Sequence, residues 1–266
     1  SGGPIETAYA TTLTIAGAPT GSGTLTKTGV GTLTLNTGST ATGAITVSTG
    51  TLNIGNGSTA SLSTTGITNN AALVFNHSSD LTLSGTIDGS GSFTKTGSGS
   101  LTITTLNSTG AIAVTSGNLI NNTSIGDRVA TITGSDAAIT QTGVFKTVGT
   151  YGVGSLSISE GGSLALTSTT SINYLTTGSA AGSNGTITVN GNGSNIASEG
   201  RLRAGSSGTG TLNLEAGATA TFNYASDSWV GSSATGIGTV NLSGTGSALT
   251  TGCRLIVGDA GTGTVN

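Results

Sequence analysis

Aliphatic residues in this chain recur two apart, in short runs that glycine separates. In GTLTL (31–35), Leu33 and Leu35 fall on one face and Thr32 and Thr34 on the other. That is the period of a strand with one buried face. The same alternation returns in GSLTI (99–103), GSLSI (154–158), GTITV (185–189), GTLNL (210–214) and GTVNL (238–242). No window carries a sustained helical stripe, so the pattern predicts an all-β chain.

The runs belong to longer echoes. LTIAGAPTGSGTLTKTG (13–29) returns as LTLSGTIDGSGSFTKTG (81–97), an offset of 68 residues. GTLTL (31–35) is answered by GSLTI (99–103), and TGAITV (42–47) by TGAIAV (109–114), so one unit holds about three strand-turn steps of roughly 20 residues. In the second half RLRAGSSGTG (201–210) returns as RLIVGDAGTG (254–263), an offset of 53. A coil of roughly 20 to 28 residues cannot bury its own apolar face, whereas stacked coils pair each strand with its equivalents above and below and build aliphatic ladders inside. A β-sandwich also uses short strands, but it would not carry these echoes. The expectation is a right-handed parallel β-helix, one elongated domain over 1–266. Its first repeat type would cover 1–117, an irregular junction 118–150 and a second repeat type 151–266. GTGTVN (261–266) starts another unit and stops, so the piece reads as truncated at its C-terminal end.

Composition sharpens this. Gly is 47 of 266 residues, which suits coils that must bend two or three times. Pro occurs only at Pro4 and Pro19, as a paired interior sheet demands. A flexible Gly/Ser tether would lack the regularly placed aliphatics. Charged residues are 6% of the chain, against about 25% in ordinary domains. With a net charge of −3 and scattered Lys and Arg, the chain has no footprint for a phosphate backbone, and nucleic acid is not an expected partner. No apolar run reaches the roughly 18 to 20 residues that span a bilayer, so no membrane insertion is expected of this piece. One cysteine, Cys253, excludes an internal disulfide framework and is expected as a small residue packed in a strand.

Little in the chain suggests chemistry, and no catalytic residue, cofactor or metal is expected. The single histidine, His77, reads as a surface or turn residue, and no G-x-S-x-G is present. Asp80 and Asp88 are candidates to meet across a bend, and Asp227 beside Trp229 to line a sugar site, but the repeats bring no group of acids together. Calcium-binding nonapeptides and phosphate loops are absent. The one charge cluster is Glu199, Arg201 and Arg203, with Arg254 at the repeat-equivalent position of Arg201. It reads as a coil-to-coil ion pair or as a partner contact, and Trp229 as a strand-end filler or an aromatic anchor.

GSGTLTKTGVGTLTL followed by TGAITVSTGTLNIGN resembles the passenger-associated transport repeat of autotransporters. From about Val153 onward, GTLNLEAGA, GTVNLSGTGSALT and RLIVGDAGTGTVN resemble the repeat of type V secreted and other exported surface proteins. The resemblance implies a β-helical passenger, secreted or displayed on the bacterial surface, carried across the outer membrane by a C-terminal β-barrel that this piece lacks. Passage of an unfolded chain through a narrow pore goes with scarce disulfides.

A surface of Thr, Ser and Asn with few charges lacks the usual deterrent to sheet association. The expected role is non-enzymatic: adhesion, self-association or host-cell interaction, with a host receptor, matrix or copies of the chain as partners. The alternatives are a secreted effector engaging one receptor through Arg201, Arg203 and Trp229, an ice-binding rank built from pairs such as Thr32/Thr34, Thr102/Thr104 and Thr186/Thr188, and a polysaccharide lyase or hydrolase.

Overall fold

A computed structural model describes residues 3–40, 43–143, 146–168 and 173–266. Among them are 31 β-strands and no helix, and the strands of successive coils pair in parallel, as the repeats predict. The chain is a parallel β-solenoid that divides into two compact units, Ser1–Asn122 and Thr123–Asn266. The boundary falls inside the stretch expected to be irregular, and that stretch contains strands of its own, Val129–Thr133 and Ala137–Thr142 among them.

In the first unit each coil gives one strand to each of two long sheets. One sheet stacks Pro4–Glu6, Leu25–Thr28, Ile45–Val47, Gly66–Asn69, Leu81–Asp88, Ser100–Leu106 and Gly117–Asn121; the other stacks Thr12–Ile15, Thr32–Leu35, Thr51–Ile54, Ala72–Asn76, Ser92–Thr96 and Ile112–Val114. The inward ladder Leu13, Leu33, Leu52, Leu73, Phe93, Ile112 climbs in steps of 19 to 21 residues, one coil each. From Leu33 upward its members are at most 3% exposed. At roughly 25 cal/mol per Å² of apolar surface, such ladders supply most of the drive to fold.

The 68-residue echo is therefore not a whole number of coils. The LTKT strand at Leu25–Thr28 lies in the first sheet, whereas its echo, Ser92–Thr96, lies in the second. The two sheets use the same cassette.

The second unit has a longer coil and a third sheet, Lys146–Val148, Tyr174–Thr177, Arg201–Ala204, Ser228–Val230 and Leu255–Val257. Here the 53-residue echo does return to the same sheet two coils on, since Leu202 pairs with Ser228 one rung below Leu255. Inward ladders such as Ile187–Leu212–Val240 and Val189–Leu214–Leu242 fill the interior.

Sequence reading missed the interior cations. Lys27 and Lys95, the lysines of the two TKTG motifs, are fully buried. They point inward because they share parity with Leu25 and Phe93. Lys27 Nζ donates to the carbonyls of Thr28 (2.8 Å), Gly29 (2.6 Å) and, one coil on, Thr49 (3.1 Å). Lys95 repeats this with Thr96 (2.8 Å), Gly97 (2.6 Å) and Ser116 (3.4 Å). Each ammonium sits beside a glycine of the next coil. A Cβ on Gly50 (φ 73°) would lie 2.4 Å from the Gly29 and Gly31 carbonyls and 2.7 Å from Lys27 Nζ, and Gly117 stands likewise over Lys95. The motif is a corner clamp: a buried cation ties together carbonyls of successive coils under a side chain that must be absent.

Candidate binding site

The third sheet of the second unit builds the site. In Arg201–Ala204, Leu202 and Ala204 are fully buried, so alternation turns Arg201 and Arg203 to the opposite face. Register sets Tyr174 beside Arg201 in the coil before, and Trp229 beside Arg203 in the coil after. Tyr224 follows the strand Thr219–Phe222 and reaches the same face.

The result is two guanidinium groups among three aromatic rings. Arg201 Cζ lies 4.4 Å from the Tyr174 ring centre, 5.1 Å from that of Tyr224 and 5.4 Å from that of Trp229. Arg203 Cζ lies 4.1 Å from Tyr174 and 5.1 Å from Trp229. A cation over a ring face is worth about 0.5 to 2 kcal/mol, the larger value where water is excluded. Arg201, 8% exposed, donates from Nη1 to Ser226 Oγ (2.8 Å) and from Nη2 to the Tyr174 hydroxyl (2.5 Å). The Nε atoms of both arginines are buried and have no hydrogen-bond partner. Arg203 is partly exposed, contacts the Tyr174 and Trp229 rings, and has no hydrogen-bond or ion-pair partner among the described residues.

Of the five residues singled out from sequence, the structure brings together Arg201, Arg203 and Trp229. Glu199 goes elsewhere: its carboxylate accepts the Ser168 amide (3.0 Å) and lines a shallow groove of about 260 Å³ with Thr142, Gly143, Thr167 and Ser168. Arg254, 78% exposed at its side chain, forks onto Asp227 at 2.7 and 3.1 Å. The guanidinium's hydrogen bonds hold the Asp227 carboxyl below the usual carboxylate range, and the Asp227 contact raises Arg254 in turn. Thus the coil-to-coil ion pair expected of this group forms at Arg254, with an acid the sequence had assigned to Trp229. Tyr174 was missed because it stands 27 residues before Arg201, a separation that becomes adjacency only once the coil length is known.

Other expectations need correction. His77 is fully buried rather than on the surface, because it continues the inward parity of Leu73 and Phe75. Its Nδ1 lies 2.6 Å from the Ser79 carbonyl, its Nε2 has no partner, and burial holds its pKa below the ordinary value. Cys253 is exposed between Ala248–Thr251 and Leu255–Val257, not packed in a strand. Asp80 and Asp88 are not brought together as a pair: Asp80 precedes and Asp88 ends the eight-residue strand Leu81–Asp88, and each carboxylate has its own partners. Asp80 accepts the Ser100 amide (2.9 Å) and Asp88 binds Thr86 Oγ1 and Asn107 Nδ2, both at 2.8 Å. Among the described residues no group of three His, Cys, Asp or Glu side chains is placed to hold a metal.

The outward threonine pairs run short. Thr32/Thr34 is followed one coil on by Thr51/Asn53 and then by Ala72/Val74. In the second unit the column Thr186, Thr211, Thr239, Thr264 continues, but its companion passes from Thr188 to Asn213 and Asn241. Those amides bond along the column: Asn213 Nδ2 to Thr188 Oγ1 (3.2 Å), Asn241 Nδ2 to Asn213 Oδ1 (2.8 Å) and Asn266 Nδ2 to Asn241 Oδ1 (2.8 Å).

No protein-family model, curated protein or solved structure matches the chain.

Proposed function

We propose that this chain is part of a secreted or surface-displayed bacterial passenger of the autotransporter type, and that it acts without catalysis, in adhesion, self-association or host-cell contact. The observation that carries the reading is how charge is distributed over the stacked coils. Four of the seven cationic side chains, Lys27, Lys95, Lys146 and Arg201, are buried, and Arg254 is tied to Asp227. Two neighbouring outward columns of the second unit, Thr186–Thr211–Thr239 and Thr188–Asn213–Asn241, are hydroxyls and amides, and polar ladders of this kind lack the charges with which sheet proteins discourage association. The resemblance of the TKTG and GTL repeats to passenger repeats supports the location and the outer-membrane barrel expected elsewhere in the protein.

The test is display of the chain on otherwise bare cells. Clumping of those cells, or adherence to cultured host cells, supports the reading; dispersed cells that bind nothing refute it. A receptor-directed effector is the second reading, favoured by the arginine and aromatic cluster, since buried aromatic and Arg anchors are what specific interfaces concentrate. A response in host cells without adherence selects it.

A further inference from the structure

We infer that the Tyr174–Arg201–Arg203–Trp229 cluster is a binding site for the oxyanion of an acidic saccharide, a sugar carboxylate or sulfate. The inference rests on the adhesive reading and names the partner chemistry of that site.

Two guanidinium groups approach the same Tyr174 ring to 4.4 and 4.1 Å, and neither is within ion-pair distance of a carboxylate. The acids close in sequence are engaged: Glu199 on the Ser168 amide, Asp227 on Arg254. Like charges set side by side repel, and an anion placed between or over them relieves that repulsion. The cluster is also built rather than incidental. Arg201 is held by Ser226 and by the Tyr174 hydroxyl, and it packs on three rings, so its position is fixed before any ligand arrives. Both Nε groups are buried without a partner, and Arg203, partly exposed, has no hydrogen-bond partner among the described residues.

A planar fork of donors, held by its ring contacts on a partly exposed residue, matches a carboxylate or sulfate in a way an ammonium does not. The neighbouring Trp229 and Tyr224 rings supply apolar surface of the kind that receives the C–H face of a sugar. Nonspecific attraction is a weak rival, because the chain carries a net charge of −3 and long-range steering favours cations.

The experiment is titration calorimetry of the whole chain at about 150 mM salt, where general charge attraction is screened within roughly 8 Å. The probes are polygalacturonate for the carboxylate, dextran sulfate for the sulfate and plain dextran for the neutral backbone. Binding of one or both acidic polymers but not of dextran is expected, and which one binds identifies the anion. Arg203→Gln should weaken binding at least tenfold, and Arg203→Lys, which keeps the charge but not the fork, should fall between. Equal binding by the parent and Arg203→Gln overturns the proposal, as does silence with both acidic polymers or equal affinity for dextran. Should Arg203→Gln fail to fold, Arg203→Lys alone decides: undiminished affinity counts against the fork. Cells that adhere through a chain blind to both acids remove the anion site and leave the adhesive reading standing. Acid binding by a chain that supports no adherence does the reverse.

Discussion

Replacing Lys27 by Met tests the corner clamp. Met keeps most of the buried stem and removes the ammonium. Of the three carbonyls that Nζ serves, two retain a partner: Thr28 O still accepts the Thr7 amide (3.0 Å), and Gly29 O the Thr49 hydroxyl (3.2 Å). Among the described residues Thr49 O has only Lys27, and it loses that partner. An acceptor left unpaired costs about 1 to 3 kcal/mol when buried and toward the low end in a part-buried bond such as this one, and the two other losses add a fraction each, while relief from burying a cation subtracts. The expected net loss is about 2 kcal/mol. Lys27→Ala should lose about 2 to 3 kcal/mol more, because it also opens a cavity where the stem lay.

Stacked repeats need not unfold in one step, so the assay is native-state hydrogen exchange at the amides around the clamp, Thr7, Ser48 and Thr51. Two kcal/mol corresponds to exchange about thirtyfold faster. Protection within threefold of the parent in Lys27→Met would show that the ammonium contributes nothing net and that the stem alone accounts for the lysine's contribution, which would refute the reasoning.

Two further predictions follow from particular positions. Gly50→Ala and Gly21→Ala both place a side chain at positive φ, but only at Gly50 does the new Cβ meet carbonyls at 2.4 Å; Gly21→Ala should therefore cost about 1 kcal/mol and Gly50→Ala several, read as urea midpoints. Burial lowers the Lys146 pKa to about 8 from 10.5, so the unfolded chain holds more protons between those values and stability should rise with pH from about 8 to 10.5; an NMR titration placing the Lys146 midpoint above 10 contradicts this.

The fold was legible because a strand's parity is local: Leu33 and Leu35 announce an inward face wherever they stand. The clamp was hidden because lysine between threonines looks like an outward polar position, yet the signal was present, since Lys27 and Lys95 lie two residues from Leu25 and Phe93. His77 was hidden in the same way behind Phe75. The arginine cluster was half legible. Arg201, Arg203 and Trp229 could be selected by type, but Tyr174 is adjacent to Arg201 only through one coil of the second unit, and neither repeat offset states that coil's length. Glu199 looked like an ion-pair partner by proximity in sequence, but it ends up on a backbone amide instead, because the chain turns between the strand Asn195–Ser198 and Arg201–Ala204 and sends the two side chains to different sheets.

The appearance of one cassette on opposite sheets in the first unit bears on how such a chain lengthens. If strand, lysine corner and following glycine work equally well on either side, the smallest viable addition is half a turn rather than a full one. Copying errors that are out of phase with the coil then remain foldable. A gene built this way can drift in length far more freely than one whose repeat must match its winding.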